Sequence, residues 1–356
     1  MRIAVYGASG FTGGLVAAEL DRRGVEVVAV GRRGPVVAAL DDPGALEAAF
    51  RGCDVVVSAV APFAVHGEPV LRAAVAAGCH YVDTTGEQWF VKRVFDGFSG
   101  AAAEAGVAVV PAATDDGVPG DLVAHLVARE LDRVDVLTVA DLRSASGSAS
   151  RGTARSMAAA GALLTDGALH YERGEWRTGL EVDGTGLADF GLSGSVPAPA
   201  GFGLTGPDPA PTGLGLVGSD PAPAGFGLVG FGLPGAITVP RHVAARRVQG
   251  VVPEDVAGAF TSLTSEVAEA LSPVVDLEER RADEWRMAVF ATSPGGHRAQ
   301  GAVWGTDPYG TTARVAAEMA LHLAKGDVRP GVLAAAQAVP AEDFLDRLGL
   351  RWEVRR

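Results

Sequence analysis

Short, unbroken apolar runs alternate with Ala-rich stretches over the first third of the chain. Ile3-Ala4-Val5, Val27-Val28-Ala29-Val30 and Val55-Val56-Val57 have no polar partner positions between them. That pattern suits strands buried on both faces rather than strands with one wet side. The runs predict strands at 2–6, 25–30, 54–60, 79–83 and 107–111. The stretches between them predict helices at 11–23, 43–51, 67–77 and 98–105, and a further helix at 118–131. Strand and helix in strict alternation imply an α/β fold with a parallel, doubly wound sheet.

The pattern changes near residue 133. Val134 to Arg143 reads as one strand of an open, half-exposed sheet, and further strands are expected at 243–251, 284–293 and 297–305. Helices are expected at 152–164 and 254–271. Residues 1–132 are therefore assigned to one domain and 133–310 to an α+β second domain whose mostly antiparallel sheet offers a substrate surface. A helix at 311–325 is expected to return to the first domain, followed by a short helix at 341–348 and a strand-like tail. Residues 187–235 fit neither pattern. They hold four 12-residue Pro/Gly-rich units starting at Phe190, Phe202, Leu214 and Phe226. Proline and glycine disfavour helix and central strand, so this stretch is expected to be a mobile insertion. It serves as a lid or docking segment, or is a tandem expansion tolerated because long surface loops cost little closure entropy.

Composition narrows the function. The apolar fraction is 48% of 356 residues and the formal net charge is −13, with no strongly basic face expected. Nucleic acid and anionic membrane surfaces are thus poor partners. No apolar run approaches the about 18 residues of a membrane span. Arg2 to Tyr6 is already strand-like, so no secretory leader is expected and a cytoplasmic location follows. Cys53 and Cys79 lack a CxxC spacing and read as buried small hydrophobes, without a metal site. Lys92 and Lys325 are the only lysines, in helix-like stretches, which leaves little room for lysine-based covalent chemistry.

The sharpest local signal is Gly7-Ala8-Ser9-Gly10-Phe11-Thr12-Gly13, after a predicted strand and opening a predicted helix. Gly7 permits the tight turn, Gly10 the approach of a pyrophosphate, and Gly13 the close packing of helix on sheet. Gly7, Ser9, Gly10, Phe11 and Thr12 are therefore candidate phosphate-binding positions of a Rossmann domain. The second strand ends in Gly31-Arg32-Arg33, without the carboxylate that would hold a ribose 2′-OH. Two guanidinium groups suit a 2′-phosphate, so NADP is the expected cofactor. Ala61, Pro62 and Phe63 follow the next core strand, where ribose and nicotinamide should pass.

Several spaced pieces together resemble the saccharopine dehydrogenase-like family of NAD(P)-binding oxidoreductases, and most of all its bacterial trans-acting enoyl reductase branch. They are the glycine motif, Cys53 to Phe63, His80-Tyr-Val-Asp-Thr-Thr-Gly-Glu87, Asp115-Asp-Gly-Val-Pro-Gly-Asp121, Ser144 to Thr153, and Pro240-Arg-His242. The branch usually has Gly-Gly-Thr where this chain has Arg151-Gly152-Thr153, and Asp-Ser-Val-Pro where it has Asp116-Gly-Val-Pro119. The resemblance implies hydride transfer to an activated C=C or C=N bond, with substrates from amino-acid imines to polyketide-like acyl chains of specialised metabolism.

Candidate chemistry falls on three loops. Glu87 is placed to donate a proton or hold a substrate cation, or else to sit in a helix's first turn. Asp116, beside Asp115, is a candidate for acid–base work, with helix capping as the alternative. Arg151 suits an anionic or carbonyl group of the substrate, or is a solvated charge. His66 is a candidate to approach the nicotinamide, with a helix-start residue as the alternative. Tyr81 has no lysine four residues later, which argues against a short-chain-dehydrogenase mechanism on alcohols. The expected partner is a small-molecule or acyl-chain substrate, with a homodimer through the second sheet. A non-catalytic NADP(H)-sensing protein is the competing reading; a deep pocket beside the nicotinamide separates the two.

Overall fold

A computed structural model describes residues 1–144, 147, 149–179, 181–183 and 227–356. The repeat units starting at Phe190, Phe202 and Leu214 lie outside the described residues, as does Phe226, the first residue of the fourth.

The first sheet is parallel throughout. Its strands are β1 (Arg2–Tyr6), β2 (Glu26–Gly31), β3 (Val36–Val37), β4 (Val55–Ser58), β5 (His80–Asp83) and β6 (Ala108–Val110). They run in the order β6-β5-β4-β1-β2-β3, with Gly331–Val332 added in parallel beside β6 as a seventh strand. Helices α1 (Phe11–Arg22), α2 (Pro43–Phe50), α3 (Phe63–Ala76), α4 (Gln88–Glu104) and α5 (Val118–Arg129) connect them. The two faces carry separate cores. Leu46, Phe50, Val70, Leu71, Tyr81 and Phe90 fill the face under α2, α3 and α4. Val5, Val16, Leu20, Val57 and Leu122 fill the other, continuous with the second domain. The seventh strand was not expected, because two residues cannot carry a periodicity. Helix α4 is longer than the expected 98–105. Its buried Val91, Phe95, Phe98 and Ala102 recur at helical spacing, with Lys92, Arg93 and Asp96 between them.

The second sheet is mixed and mostly antiparallel. It contains β7 (Val134–Asp141), β8 (Leu169–Glu172), β9 (Glu175–Thr178), β10 (Leu228–Gly230), β11 (Ala245–Pro253), β12 (Glu284–Thr292), β13 (Arg298–Thr306) and β15 (Arg351–Arg355), where β14 is Gly331–Val332. The order is β15-β13-β12-β7-β11-β8-β9, with β10 on β11, and only β7–β11 is parallel. Two elements here depart from expectation. The β8–β9 hairpin turns through Arg173 and Gly174, both at positive φ, and its strands are too short to show alternation. The insertion expected to be mobile through 235 ends sooner. Residues 227–235 hold β10 and enter a short helix capped at Pro234, because Leu228, Phe231 and Leu233 are apolar and bury.

Helix α6 (Arg151–Ala160) leaves β7 by the 142–150 loop, and a 3-10 turn, Gly161–Leu164, completes the helix expected to reach 164. The helix expected over 254–271 breaks into Glu254–Thr261 and Ser265–Ala270, since Thr264 accepts the Val267 N–H and starts a new helix. Helix Pro308–Leu323 packs against α1 and the backs of β4 and β5, so the chain re-enters the first domain after building the second.

Candidate active site

The glycine loop is closed by backbone alone. Gly7 sits at φ +90°, donates its N–H to Val30 (2.9 Å), and receives the N–H of Gly10 (2.8 Å). A Cβ on Gly7 would stand 2.6 Å from the carbonyl oxygen of Ala59, and one on Gly13 would stand 2.2 Å from that of Gly7. No side chain caps α1 at Gly10, so its first-turn N–H groups are open to an anion. Gly7, Ser9, Gly10, Phe11 and Thr12 line one side of a large cavity. Arg32 and Arg33 line it further out; both are exposed and, among the described residues, neither forms an ion pair. This arrangement fits a nicotinamide dinucleotide: a glycine cradle that any Cβ would obstruct, a helix start for the pyrophosphate, and two uncommitted guanidinium groups beyond the second strand. Ala61, Pro62 and Phe63 form the next stretch of wall, joined by a cis peptide at Ala61-Pro62.

Glu87 is not on that wall. Its carboxylate is buried and accepts the Phe63 and Ala64 N–H groups (both 2.7 Å) and the Ser156 hydroxyl (2.7 Å). It caps α3 across a neighbouring loop and ties it to α6, so the expectation that it donates a proton to substrate is replaced by a positioning role. Its neighbour Asp83 is fully buried. It accepts the N–H groups of Ala112 (2.9 Å) and Thr85 (3.1 Å), yet burial still pushes it up to about 7.

Asp116 does face the cavity. The turn that presents it bends sharply: Ala112 is at φ 59°, and a Cβ on Gly117 would stand 2.1 Å from the Ala112 carbonyl oxygen. Thr114 donates to one Asp116 oxygen (2.5 Å); the other faces Gly86, 3.5 Å from where a Cβ there would lie. Behind it, Arg143 from the end of β7 binds Asp141 (2.6 Å) and Asp115 (3.0 Å), and Thr312 of the returning helix donates to Asp115 (2.8 Å). One guanidinium thus faces three carboxylates. Burial raises Asp116 above the usual carboxylate range; Arg143 opposes the shift and the charge on Asp141 adds to it. Burial raises Asp115 and Asp141 as well. Such a cluster favours keeping a proton.

Arg151 opens α6 at the cavity wall, with its Nε donating to the Leu271 carbonyl (2.8 Å). The start of α6 is held by a residue that sequence reasoning missed. Tyr309, in the first turn of the returning helix, has its ring against Phe11 (centroids 5.1 Å apart). Its hydroxyl accepts the Ser150 N–H (2.7 Å) and bonds the Thr153 hydroxyl (3.0 Å). It spans from the glycine loop to the substrate-side helix. Arg143 was missed too, although a charge at the end of an apolar strand run was a readable sign. His66 lies on the wall, in the first turn of α3, with the charges of Arg32 and Glu87 nearby.

The cavity measures about 1020 Å³ and is continuous from Arg32 and Arg33 past Asp116 into the second domain. Its far end is apolar, with Met157, Leu164, Phe231, Leu233, Phe260 and Trp285 on the wall. Among the described residues no cluster of His, Cys, Asp and Glu has metal-binding geometry, and no helix is long and apolar enough to cross a membrane.

A parallel sheet with a glycine-rich first turn, joined to an α+β domain that closes one cavity with it, defines a two-domain nicotinamide-dinucleotide-binding protein. Residues 3–110 match the saccharopine dehydrogenase NADP binding domain. Over 180 residues it is 34% identical to a Mycobacterium tuberculosis protein provisionally named a trans-acting enoyl reductase; the match covers 44% of this chain and 43% of the relative. A trans-acting enoyl reductase of Mycobacterium ulcerans is 31% identical over 143 residues, covering 35% and 34%. The match therefore spans less than half the length of these relatives. Among solved structures, apo saccharopine dehydrogenase (L-Glu forming) from Saccharomyces cerevisiae aligns over 100% of both chains with a TM-score of 0.55 at 12% identity. Homospermidine synthase from Legionella pneumophila, solved in complex with NAD, aligns over 99% of this chain and 91% of its own, with a TM-score of 0.61 at 10% identity. These two likenesses concern the fold.

Proposed function

We propose that the protein is an NADP(H)-dependent reductase that transfers a hydride to an activated C=C or C=N bond of an apolar metabolite. One observation carries this reading: a single cavity joins the dinucleotide cradle to an apolar pocket, with a carboxyl group of raised proton affinity between them. Bound NADPH supplies the hydride. The chain's residues supply the rest. Arg32 and Arg33 take the 2′-phosphate and so select NADP over NAD. The apolar wall orients the substrate's chain and excludes water, and Arg151 draws its carbonyl or acidic group to the mouth of α6. Asp116, protonated, gives its proton to the carbon or nitrogen that hydride addition leaves electron-rich, and regains one from solvent. Orientation does much of the work in such a transfer, which is why no lysine or tyrosine base is needed.

The named relatives support enoyl substrates, and the apolar end of the cavity supports an acyl or similarly greasy skeleton over an amino acid. A non-catalytic NADP(H) sensor would have little use for that second compartment. The experiment is a screen for NADPH oxidation with α,β-unsaturated thioesters, unsaturated ketones and cyclic imines. Turnover of any class that Asp116→Asn abolishes without weakening NADPH binding supports the reading. NADPH binding with no turnover across all classes favours the sensor.

A further inference from the structure

We propose that His66 is the third cationic group of the 2′-phosphate site, so that NADP is bound with uptake of a proton. The proposal rests on the reading that Arg32 and Arg33 hold that phosphate, and adds a residue from a different element.

The topology brings them together. Strands β4, β1 and β2 are adjacent, and α2 and α3 pack side by side on one face of the sheet over Leu46, Phe50, Val70 and Leu71. The first turn of α3, which follows β4, and the connection that leaves β2 through Arg32 and Arg33 thus lie on either side of β1 and line one cavity. His66 lies in that first turn, half-buried, and shares the cavity wall with Arg32, Arg33, Leu40 and Tyr6. Its imidazole has no hydrogen-bond partner among the described residues, so the ring is free to turn to a ligand. Burial holds it below the usual histidine range, the Arg32 charge lowers it further, and Glu87 opposes both. Glu87's charge is already shared by two N–H groups and Ser156. The other charges around the turn are committed elsewhere: Arg93 of α4 donates to the Ala64 carbonyl, and Glu68 and Arg72 pair on α3 itself. Asp41, whose charge acts on Tyr6, does not line the cavity.

Burial and the Arg32 charge thus both favour the neutral imidazole of His66. A phosphate dianion placed between them reverses the sign of the local field and favours imidazolium. The phosphate's own second ionisation, near pH 6, works the other way, since arginines hold the dianion and expel its proton. The direction of proton flow thus separates a site of two arginines from a site that includes the histidine.

The test is calorimetric titration of the full chain at pH 7 with adenosine 2′,5′-bisphosphate and with 5′-AMP, each in two buffers of different ionisation enthalpy. The proposal expects net proton uptake with the bisphosphate and none with 5′-AMP. His66→Gln should abolish the uptake and weaken the bisphosphate about tenfold, the scale of one charge-assisted hydrogen bond, leaving 5′-AMP unchanged. Proton release or no exchange by the unmodified chain, equal uptake with both nucleotides, or an unchanged response in His66→Gln would each overturn it. Arg32→Ala with Arg33→Ala separates the two claims. If that variant loses the bisphosphate while His66→Gln does not, the arginine site stands and the histidine does not belong to it. If it loses nothing, the arginine reading fails and this proposal falls with it.

Discussion

At the cofactor end of the cavity the shape comes from backbone; at the substrate end it comes from side chains drawn from distant elements. Gly7, Gly10 and Gly13 close their turn within seven residues, and Arg32 and Arg33 stand free. Around Asp116, by contrast, Thr114 and Asp115 come from the first domain, Asp141 and Arg143 from the second, and Thr312 from the returning helix, and nearly every polar atom is engaged. The first end is a general receptor for a molecule of fixed shape. The second sets charge and geometry for one chemistry, and so it is the end where variation would change the substrate. If that contrast is right, damage at the two ends should separate cleanly.

The largest effect is expected from Asp116→Asn. An amide cannot deliver the proton, so turnover should fall about 10²- to 10⁴-fold, the usual worth of a positioned acid, while NADPH affinity holds. Steady-state rates beside fluorescence titration check it; loss of NADPH affinity as well would merge the two ends.

Next is the buried Asp83, which ties the loop after β5 to the turn at Ala112 after β6. Its folded value, about 7, lies above the 3.8 of an unperturbed carboxyl. The native state thus keeps a proton that the unfolded chain has lost. The stability this contributes is fully present below about pH 4 and is lost as pH rises through about 7, on the order of 4 kcal/mol at most. Asp83→Asn cannot titrate, so its urea midpoint should fall less between pH 5 and pH 8 than that of the unmodified protein. Parallel curves would show that Asp83 does not carry the slope.

Gly13→Ala should cost about 3 kcal/mol and the dinucleotide site together, because the added carbon meets a backbone oxygen that cannot swing away. Thermal unfolding and NADPH titration read both. Tyr309→Phe should have the smallest effect, about 1 kcal/mol for its hydroxyl's bonds to Ser150 and Thr153. It keeps the ring on Phe11, so NADPH affinity should be unchanged while the substrate's KM rises.

The same contrast explains what was legible in the sequence. The parallel sheet showed itself because its strands bury both faces and so read as unbroken apolar runs. The glycine turn showed itself because its partners are neighbours in the chain. Asp116 was recognisable as a carboxylate after a strand, but its raised proton affinity depends on Arg143 and Asp141, which arrive from another domain. Tyr309 meets Ser150 from 159 positions away, and no local pattern announces that. Glu87 misled for the same reason: an acid beside a helix start looked like chemistry or its own helix's first turn, whereas its partners are the amides of a helix that begins 24 residues earlier. The β8–β9 hairpin and the two-residue Gly331–Val332 strand were too short to carry a period at all.

The most direct test of the central claim is a titration of the purified protein with NADPH and with NADH, followed by fluorescence, in the unmodified chain and in Arg32→Ala with Arg33→Ala. The account expects NADPH to bind more tightly by at least about tenfold, and the double variant to bring it down to the NADH level. Equal affinity for the two nucleotides in the unmodified chain, or no binding of either, would contradict it.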